Sequence, residues 1–399
     1  MPDILFKDKN QMTIMIENRE IIVESASLIR TMDTGCDVLS AVMPWELGLD
    51  SEIDRITAPY SYSPAKIYIG GSLVSEMILY DIEHVTNSRG TVKNLSFASK
   101  LADIVDSTII PPYEMNNVKL TDRCRQQCFP FGISVIVGDD AAAAMNETRK
   151  KIVTVQKREV ITYNIDLSNQ TINQRYILTP TKKSKYVTDE KKFPRVKAEP
   201  TDTIFKHLAK LATQRGVLLS CTKEGDLLIT TANIKSKPVG TIEESESYLS
   251  DEYKIKFAGR DRYNKYRALV KSSGSTKVTS TQTSIDKTVK APRMMTFQAN
   301  DEIPGGAKNA AIWRKNKSAA DALSSSFPVS SWYAPNEKLW TPNTTVTIIS
   351  KTMGLKKGFT FLITRVEYKY ETGGSTAVLE LKPPSMYSQS AELEEPWLV

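Results

Sequence analysis

The chain has 399 residues, 40% of them hydrophobic and 25% charged, and a net charge of +7, a composition typical of a globular protein. A single hydrophobic core rarely grows beyond ~250–300 residues, so two or more domains are expected. No apolar run approaches the ~18 residues needed to span a bilayer, and the first ten residues lack the pattern of a secretion signal, so we expect no stable membrane insertion. We therefore expect the protein to be made and kept in the cytosol, with reduced cysteines.

Residues 1–96 are predicted to form a first small β-barrel domain. Short β-rich runs such as CDVLSAVM and AKIYIGG alternate with turn residues. In MILYDIEHVTNSRGTVKNLSF, the alternation of Ile78, Tyr80, Ile82 and His84 predicts that these residues share one strand face. Residues 87–90 are the predicted hairpin turn.

The hydrophobic period then changes to that of a helix starting at Phe97. The apolar residues of this stretch are Phe97, Leu101, Ile104, Val105 and Ile109. Asp103 and Asp106 fall on the opposite side. We interpret these carboxylates as a solvated helix face, because a working acid–base pair needs a perturbed, partly buried setting.

A second helix is predicted from Thr121, as N-cap, to Cys128, before Pro130. The Cys-x3-Cys spacing of Cys124 and Cys128 could suggest a metal site, but structural zinc needs four ligands and both histidines lie far away in sequence. Reduced cysteines behave as small apolar residues, so a buried stripe is the preferred interpretation. No metal or cofactor is predicted.

Residues 140–197 are predicted to form a basic, strand-containing insertion. Within it, residues 149–197 contain thirteen Lys and Arg against four Asp and Glu, a local net charge of +9 that leaves −2 for the rest of the chain. Such a run is most often a solvated arm, but it can also contact a polyanion or an acidic partner. The candidate contact residues are Arg149, Lys150, Lys151, Lys157, Arg158, Lys182, Lys183, Lys185, Lys191 and Lys192.

A third helix is predicted within TDTIFKHLAKLATQRG, with caps at residues 201–203 and a stop at Gly216. VLLSCTKEGDLLITT follows as a hairpin. Residues 97–139 and 198–240 together are predicted to form a mixed α/β middle domain. The overall fold class is therefore α+β.

Residues 241–399 are predicted to form a second β-barrel domain with a long loop and an alanine-rich helix. Val366, Tyr368 and Tyr370 alternate with charged residues, which predicts a half-buried strand. The order of elements in this region repeats that of residues 66–97: a short strand, a bend with glycine, a long alternating strand, a turn and a return strand. The repeat predicts two similar barrels that flank the middle domain.

The order of these elements resembles the baseplate hub proteins of contractile, Mu-like phage tails. It is also similar to the late control gene D family and to the N-terminal part of type VI secretion spike proteins. The resemblance covers most of the chain, and it rests on the order of the motifs more than on any one of them. The stretches that carry it are CDVLSAVMPW, ILYDIEHV with LSFASKLADIVDSTI, KLTDRCRQQCFPFGISV, TDTIFKHLAKLATQRGVLLSCTKEGDLLIT, KLWTPNTTVTI and TAVLELKPPSMY.

The resemblance implies a homotrimer in which two barrels per chain form a ring of six around a DNA channel. Such a ring joins a six-fold tail tube to a three-fold central spike. Implied partners are the tail tube protein, the central spike protein and the baseplate wedge proteins, with DNA only in transit. The resemblance also allows a tape-measure protein that ends in the channel. Ser96–Ser99 stand where the family has Gly-Arg-Ser, so any role of that arginine is absent here.

Other functions remain open at this stage. The same hub could serve a phage-tail-like bacteriocin or a secretion machine. A tail-associated hydrolase is less favoured, because the chain contains no His-Glu-x-x-His, Gly-x-Ser-x-Gly or phosphate-loop pattern. A nucleic-acid-binding role for the basic segment is also less favoured, since aromatic residues are sparse within it.

Overall fold

The computed structural model describes residues 9–46, 48–88, 90–166, 171–244, 252–271, 278–299, 306–371 and 373–388. The chain divides into two compact units. Met145–Lys192 form the small unit, and Met1–Ala144 with Phe193–Val399 form the large one. The protein is mixed α+β and rich in strands, which confirms the predicted fold class.

In the described residues before the middle region, seven strands and one short helix form. These are β1 (Met12–Ile16), β2 (Arg19–Ile21), β3 (Ser25–Thr31), β4 (Val38–Pro44), α1 (Ser51–Ile56), β5 (Pro64–Ile69), β6 (Ser72–Asn87) and β7 (Gly90–Ala98). The predicted hairpin is confirmed as the antiparallel pair β6–β7. Its predicted alternation is wrong, because a bulge at Tyr80 inserts one extra residue. Before the bulge the core side holds Met77 and Leu79, and beyond it Ile82 packs against the core opposite Leu95.

The middle region supplies short helices and strands on either side of a long hairpin. They are α2 (Ala102–Asp106), β8 (Glu114–Val118), α3 (Leu120–Cys128), β9 (Val135–Val137), α4 (Asp139–Met145), β10 (Asn146–Asp166), β11 (Thr171–Glu190), β12 (Phe193–Lys197), α5 (Ile204–Arg215), β13 (Leu218–Cys221) and β14 (Leu227–Thr230). β10 pairs with β11 in the small unit. In the large unit, β8 pairs with β12, and β14 lies between β13 and β9.

The predicted helix starts in this region have different outcomes. The α5 prediction is confirmed: the Thr203 hydroxyl accepts the Lys206 N–H at 3.4 Å, and Gly216 ends the helix at φ +74°. The helix predicted from Phe97 is wrong at its start, because Phe97 belongs to β7 and α2 begins only at Ala102. Helix α3 begins one residue before the predicted cap, Thr121.

The C-terminal region returns to strands. They are β15 (Thr241–Glu243), β16 (Lys254–Phe257), β17 (Lys265–Lys271), β18 (Val278–Ile285), β19 (Met294–Ala299), β20 (Leu323–Val329), β21 (Thr345–Ser350), β22 (Leu355–Glu371) and β23 (Gly374–Lys382), with helix α6 (Gly306–Ala322) before β20. β17 lies between β18 and β19 in a sheet of its own. Helix α6 confirms the predicted alanine-rich helix.

The predicted layout of two separate barrels is not confirmed. Strands from both ends of the chain form one sheet, in the order β16-β20-β23-β22-β3-β4-β7-β6-β5-β1-β2, with β21 added beside β22 and β15 beside β21. No closed barrel forms within the described ranges. The reason is the length of β22: its first half pairs with β21, and Arg365–Glu371 pairs with Ser25–Thr31 of β3. This pairing covers a strand edge that would otherwise expose its backbone groups.

One hydrophobic core runs along this sheet and includes residues from both ends of the chain. Ile14 and Ile67 are fully buried in it, as are Val366 and Tyr368. Trp332 is fully buried too, and its indole N–H donates to the Thr376 carbonyl at 2.8 Å. The N- and C-terminal strand regions therefore share a core as well as a sheet.

Candidate assembly site

The two aspartates of α2 lie in different environments. Asp103 is half-buried and accepts a hydrogen bond from the Tyr80 hydroxyl at 2.8 Å, whereas Asp106 is exposed. Burial, together with the nearby Asp103, raises the pKa of Tyr80. Asp103 therefore has a hydrogen-bonding role on the side of α2 opposite the buried Leu101 and Ile104.

A buried ionic joint connects the terminal strands to the middle region. Asp37 is 2% exposed, and its carboxylate accepts the Arg30 Nε–H at 2.9 Å and the Ser75 hydroxyl at 3.3 Å. The Asp37 backbone N–H donates to the Ser99 hydroxyl at 3.3 Å, and the Ser99 N–H donates to the Asp37 carbonyl at 2.9 Å, just before α2. The Cys221 thiol of β13 donates to the Ser99 hydroxyl at 3.4 Å. Arg30 and Ser75 therefore contact the carboxylate itself, whereas Ser99 binds the backbone of Asp37 and links it to Cys221.

Burial dominates the electrostatics of this joint. Burial raises the pKa of Asp37 more than the Arg30 guanidinium lowers it, and burial raises the pKa of Cys221 to about 12. A thiol with so high a pKa is a poor nucleophile. The joint is therefore suited to fixing the middle region against the sheet, and the arrangement offers no reactive group.

A glycine close to Asp37 in the sequence allows the loop between β3 and β4 to approach α5. Gly35 has φ +93°, and a Cβ placed there would lie 2.6 Å from the Phe205 ring of α5. No larger residue fits such a contact without displacing the ring. The loop between β3 and β4 therefore packs directly against α5.

A second buried cation holds α1 to the sheet. Lys93 of β7 is 2% exposed; its ammonium donates to the Thr57 hydroxyl at 2.8 Å and lies 4.3 Å from the centre of the Trp45 ring. The Trp45 indole N–H donates to Asp54 at 2.6 Å, and Asp54 lies 4.0 Å from the ammonium. Burial lowers the pKa of Lys93, and Asp54 opposes this shift. These side chains serve as hydrogen-bond and charge partners for one another, so we interpret the cluster as structural.

Several large apolar side chains are nevertheless exposed near α1 and after α3. Leu49, Tyr60 and Phe129 are 80%, 82% and 83% exposed. Tyr60 and Tyr62 both have positive φ, at +61° and +48°, on a turn held by the Ser61 N–H and the Ala58 carbonyl at 3.1 Å. A strained, hydrogen-bonded turn that presents aromatic rings to solvent is suited to contact with another protein.

The structure supports no metal site among the residues it describes: no group of three or more potential ligands is present there. Cys124 and Cys128 are fully buried, which confirms the apolar stripe. No helix in the described part of the chain has the length and apolarity to cross a membrane.

The backbone register locates the predicted basic contact residues on the ribbon formed by β10 and β11. Arg149, Lys150 and Lys151 lie opposite Val187, Tyr186 and Lys185. Lys182 and Lys183 occupy the next rows, and Lys157 and Arg158 lie further toward the turn of the hairpin. The side chains of residues 148–187 lie outside the described set. Lys191 and Lys192 follow β11 and are half-buried.

Sequence reasoning missed both the Asp37 joint and the Lys93 cluster. Arg30 and Asp37 are seven residues apart, but Ser75 and Cys221 are distant in sequence, so no local pattern links them. Lys93 lies in a strand of alternating apolar and polar residues, and its sequence context is that of an ordinary exposed lysine. The only available signal was Trp45, a large residue directly after a strand that ends at Pro44.

Comparison with known proteins gives a clear result at the level of structure alone. No protein-family model matches the chain, and no curated protein sequence matches it significantly. The 43 kDa tail protein of prophage MuSo2 from Shewanella oneidensis is 21% identical with a TM-score of 0.69, over 94% of this chain and 99% of that chain. A tail protein from Neisseria meningitidis MC58 is 16% identical with a TM-score of 0.68, over 96% and 99%.

One chain of a VgrG complex is also similar in structure. In the lidded PdpA–VgrG complex of Francisella, the matched chain is 10% identical with a TM-score of 0.52, over 98% of this chain and 55% of that chain. At these identities the similarity concerns the fold, and it extends along nearly the whole of the present chain. The protein therefore has the fold of phage tail proteins, as the order of its sequence motifs predicts.

Proposed function

We propose that this protein is a structural component of a contractile phage tail, namely its baseplate hub. The observation that carries the proposal is the near-complete overlap with two tail proteins, 99% of each of which is covered. Both are described as tail proteins. The role is therefore architectural and belongs to the virion.

The more specific part of the proposal, the baseplate hub, rests on the repeat within the large sheet. The meander β5–β6–β7 and the meander β21–β22–β23 have the same order of short, long and return strands. Three chains with two such meanders each would present six similar surfaces to the tube and three to the spike. The proposed partners are the tube protein on one side, the central spike on the other, wedge proteins outside and a tape-measure protein ending in the channel.

The exposed side chains near α1 and after α3 are proposed as contacts within this assembly. Obligate interfaces commonly bury more than ~2,000 Å² and contain aromatic anchors. Tyr60 and Phe129 have the exposure and residue type of such anchors. The proposed domain division is residues 1–96, 97–139 with 198–240, the insertion 140–197, and 241–399.

A hub of a phage-tail-like bacteriocin or a secretion machine is the second candidate. The match to a chain of the Francisella PdpA–VgrG complex favours it, because that chain has the same fold and its complex is not described as a phage tail. The genes next to this one would separate the candidates: capsid and packaging genes indicate a phage, and their absence indicates a particle without a capsid.

The mass of the purified 44.6 kDa chain in solution tests the hub assignment. Light scattering should give a trimer, and averaged electron micrographs should show a ring with a central hole. A monomer that stays monomeric after co-expression with the neighbouring tube and spike genes would contradict the hub. A matched pair of variants locates the contacts: Tyr60→Ser should weaken the trimer, whereas Thr352→Ser, at an exposed turn, should not.

A further inference from the structure

The small unit is a two-stranded ribbon with an uneven distribution of charge. β10 and β11 pair from Asn146 opposite Glu190 to Asp166 opposite Thr171. No third strand pairs with either of them in the part of the chain that the structure describes. An isolated two-stranded hairpin is marginally stable in water, so a ribbon of this length gains stability from whatever binds it.

The register gathers the cations into one band. The six rows between Arg149–Val187 and Thr154–Lys182 contain six basic residues and no acidic residue. Directly opposite residues share a face, and so do residues two apart on one strand. One face therefore holds Arg149, Lys151, Lys183 and Lys185, and the other holds only Lys150 and Lys182.

This arrangement is unfavourable for the free ribbon. Lys151 lies directly opposite Lys185, and like charges in that position destabilise a strand pair. Arg149 and Lys183 lie one same-face step away on either side, at a strand spacing of roughly 7 Å per two residues. A bound polyanion would convert this repulsion into attraction.

We propose that this four-cation face binds the phosphate backbone of double-stranded DNA. The inference rests on the proposed function only for the source of the DNA, which passes through the hub in transit. A two-stranded ribbon has the width that the major groove of DNA admits. Lys is depleted in protein–protein interfaces, and three of these four cations are Lys, which favours nucleic acid over an acidic protein.

The contact is independent of base sequence. The aromatic residue in the six rows, Tyr186, lies on the other face of the ribbon, opposite Lys150. Base stacking on the four-cation face therefore has no aromatic platform, and phosphate contacts position a protein without reading sequence. Binding that is independent of base sequence suits DNA that moves past the protein in transit.

The test measures the binding of the full chain to a fluorescein-labelled DNA duplex of mixed sequence, by anisotropy over a range of salt concentrations. Four phosphate contacts give a slope of log K against log salt of about −3.6, or about a 150-fold loss of affinity between 50 and 200 mM salt. The variant Arg149→Gln, Lys151→Gln, Lys183→Gln, Lys185→Gln should lose most of this slope.

A matched control removes the same net charge elsewhere. Lys254, Lys256, Lys356 and Lys357 are all exposed in the large unit, and their joint replacement by Gln should leave the slope unchanged. An equal effect of both variants would overturn the proposal, because it would show only a response to net charge. So would DNA binding that is absent at low salt.

Two further measurements distinguish DNA from an acidic protein as the partner, and the ribbon inference from the hub proposal. If the chain does not bind DNA but binds polyglutamate through the same four residues, the partner is an acidic protein and the DNA proposal fails. Light scattering on the same samples keeps the two proposals apart. A trimer that does not bind DNA refutes the ribbon inference alone, and a monomer that binds DNA through the ribbon supports it while counting against the hub.

Discussion

Replacement of Asp37 by leucine should remove a large share of the protein's stability. The change leaves the Arg30 guanidinium, whose side chain is 17% exposed, without the carboxylate that lies 2.9 Å from its Nε. Breaking a buried ion pair by removing one partner costs about 3–5 kcal/mol. The free energy of unfolding of a typical domain is about 5–15 kcal/mol, so the loss is easily measured.

The double variant Arg30→Met, Asp37→Leu distinguishes a stranded charge from lost packing. Replacing both partners of a buried pair by apolar residues is often neutral, so the double variant should recover most of the lost stability. Urea unfolding followed by the fluorescence of buried Trp332 and Trp340 provides the measurement. The control Asp106→Leu, at an exposed position, should change the free energy of unfolding by at most about 0.5 kcal/mol. A double variant no more stable than Asp37→Leu would refute this account of the joint.

Three further predictions concern one or two positions each. Leu101→Asp should prevent folding, because Leu101 is fully buried, and a soluble, cooperatively unfolding variant would contradict this. Asp103→Asn with Asp106→Asn should fold and assemble normally, as judged by circular dichroism and light scattering; loss of assembly would place that face at an interface. The hydroxyls of Thr352 and Tyr253 lower the pKa of Glu244 to about 2 from 4.5, so its contribution to stability is present above pH 4.5 and lost as pH falls toward 2. Glu244→Gln should therefore flatten the thermal stability profile between those pH values, and an unchanged profile would contradict the assignment.

Local signals in the sequence predict those parts of the fold whose interactions are local. The α5 helix has its cap, apolar stripe and terminal glycine within fourteen consecutive residues, and the structure reproduces all three. The boundary at Phe97 fails for an equally local reason. Phe97 and Leu101 are four apart, which fits a helix, but Phe97 pairs in a strand opposite Leu39, and that partner lies far back in the sequence.

Long-range pairing is the part of the fold that the sequence pattern does not reveal. The Ser27 hydroxyl donates to Glu367 at 2.9 Å across 340 residues of chain, beside the pairing of β3 with β22. Alternation in each strand predicts a half-buried face but leaves its neighbour unspecified. Two separate barrels and one continuous sheet therefore have the same sequence pattern, and only the partner of β3 distinguishes them.

The continuity of the sheet has a consequence for the proposed assembly. If the N- and C-terminal meanders were separate barrels, each could move independently, and a ring built from them would be compliant within every chain. Because β22 pairs with β3, any rotation between the meanders would break backbone hydrogen bonds from Arg365 to Glu371 and expose a strand edge. The Asp37 joint adds a second constraint, since it ties the same strands to α2 and β13. The large unit of each chain would then transmit force between the proposed tube and spike contacts as one body, with adjustments of symmetry confined to the contacts between chains.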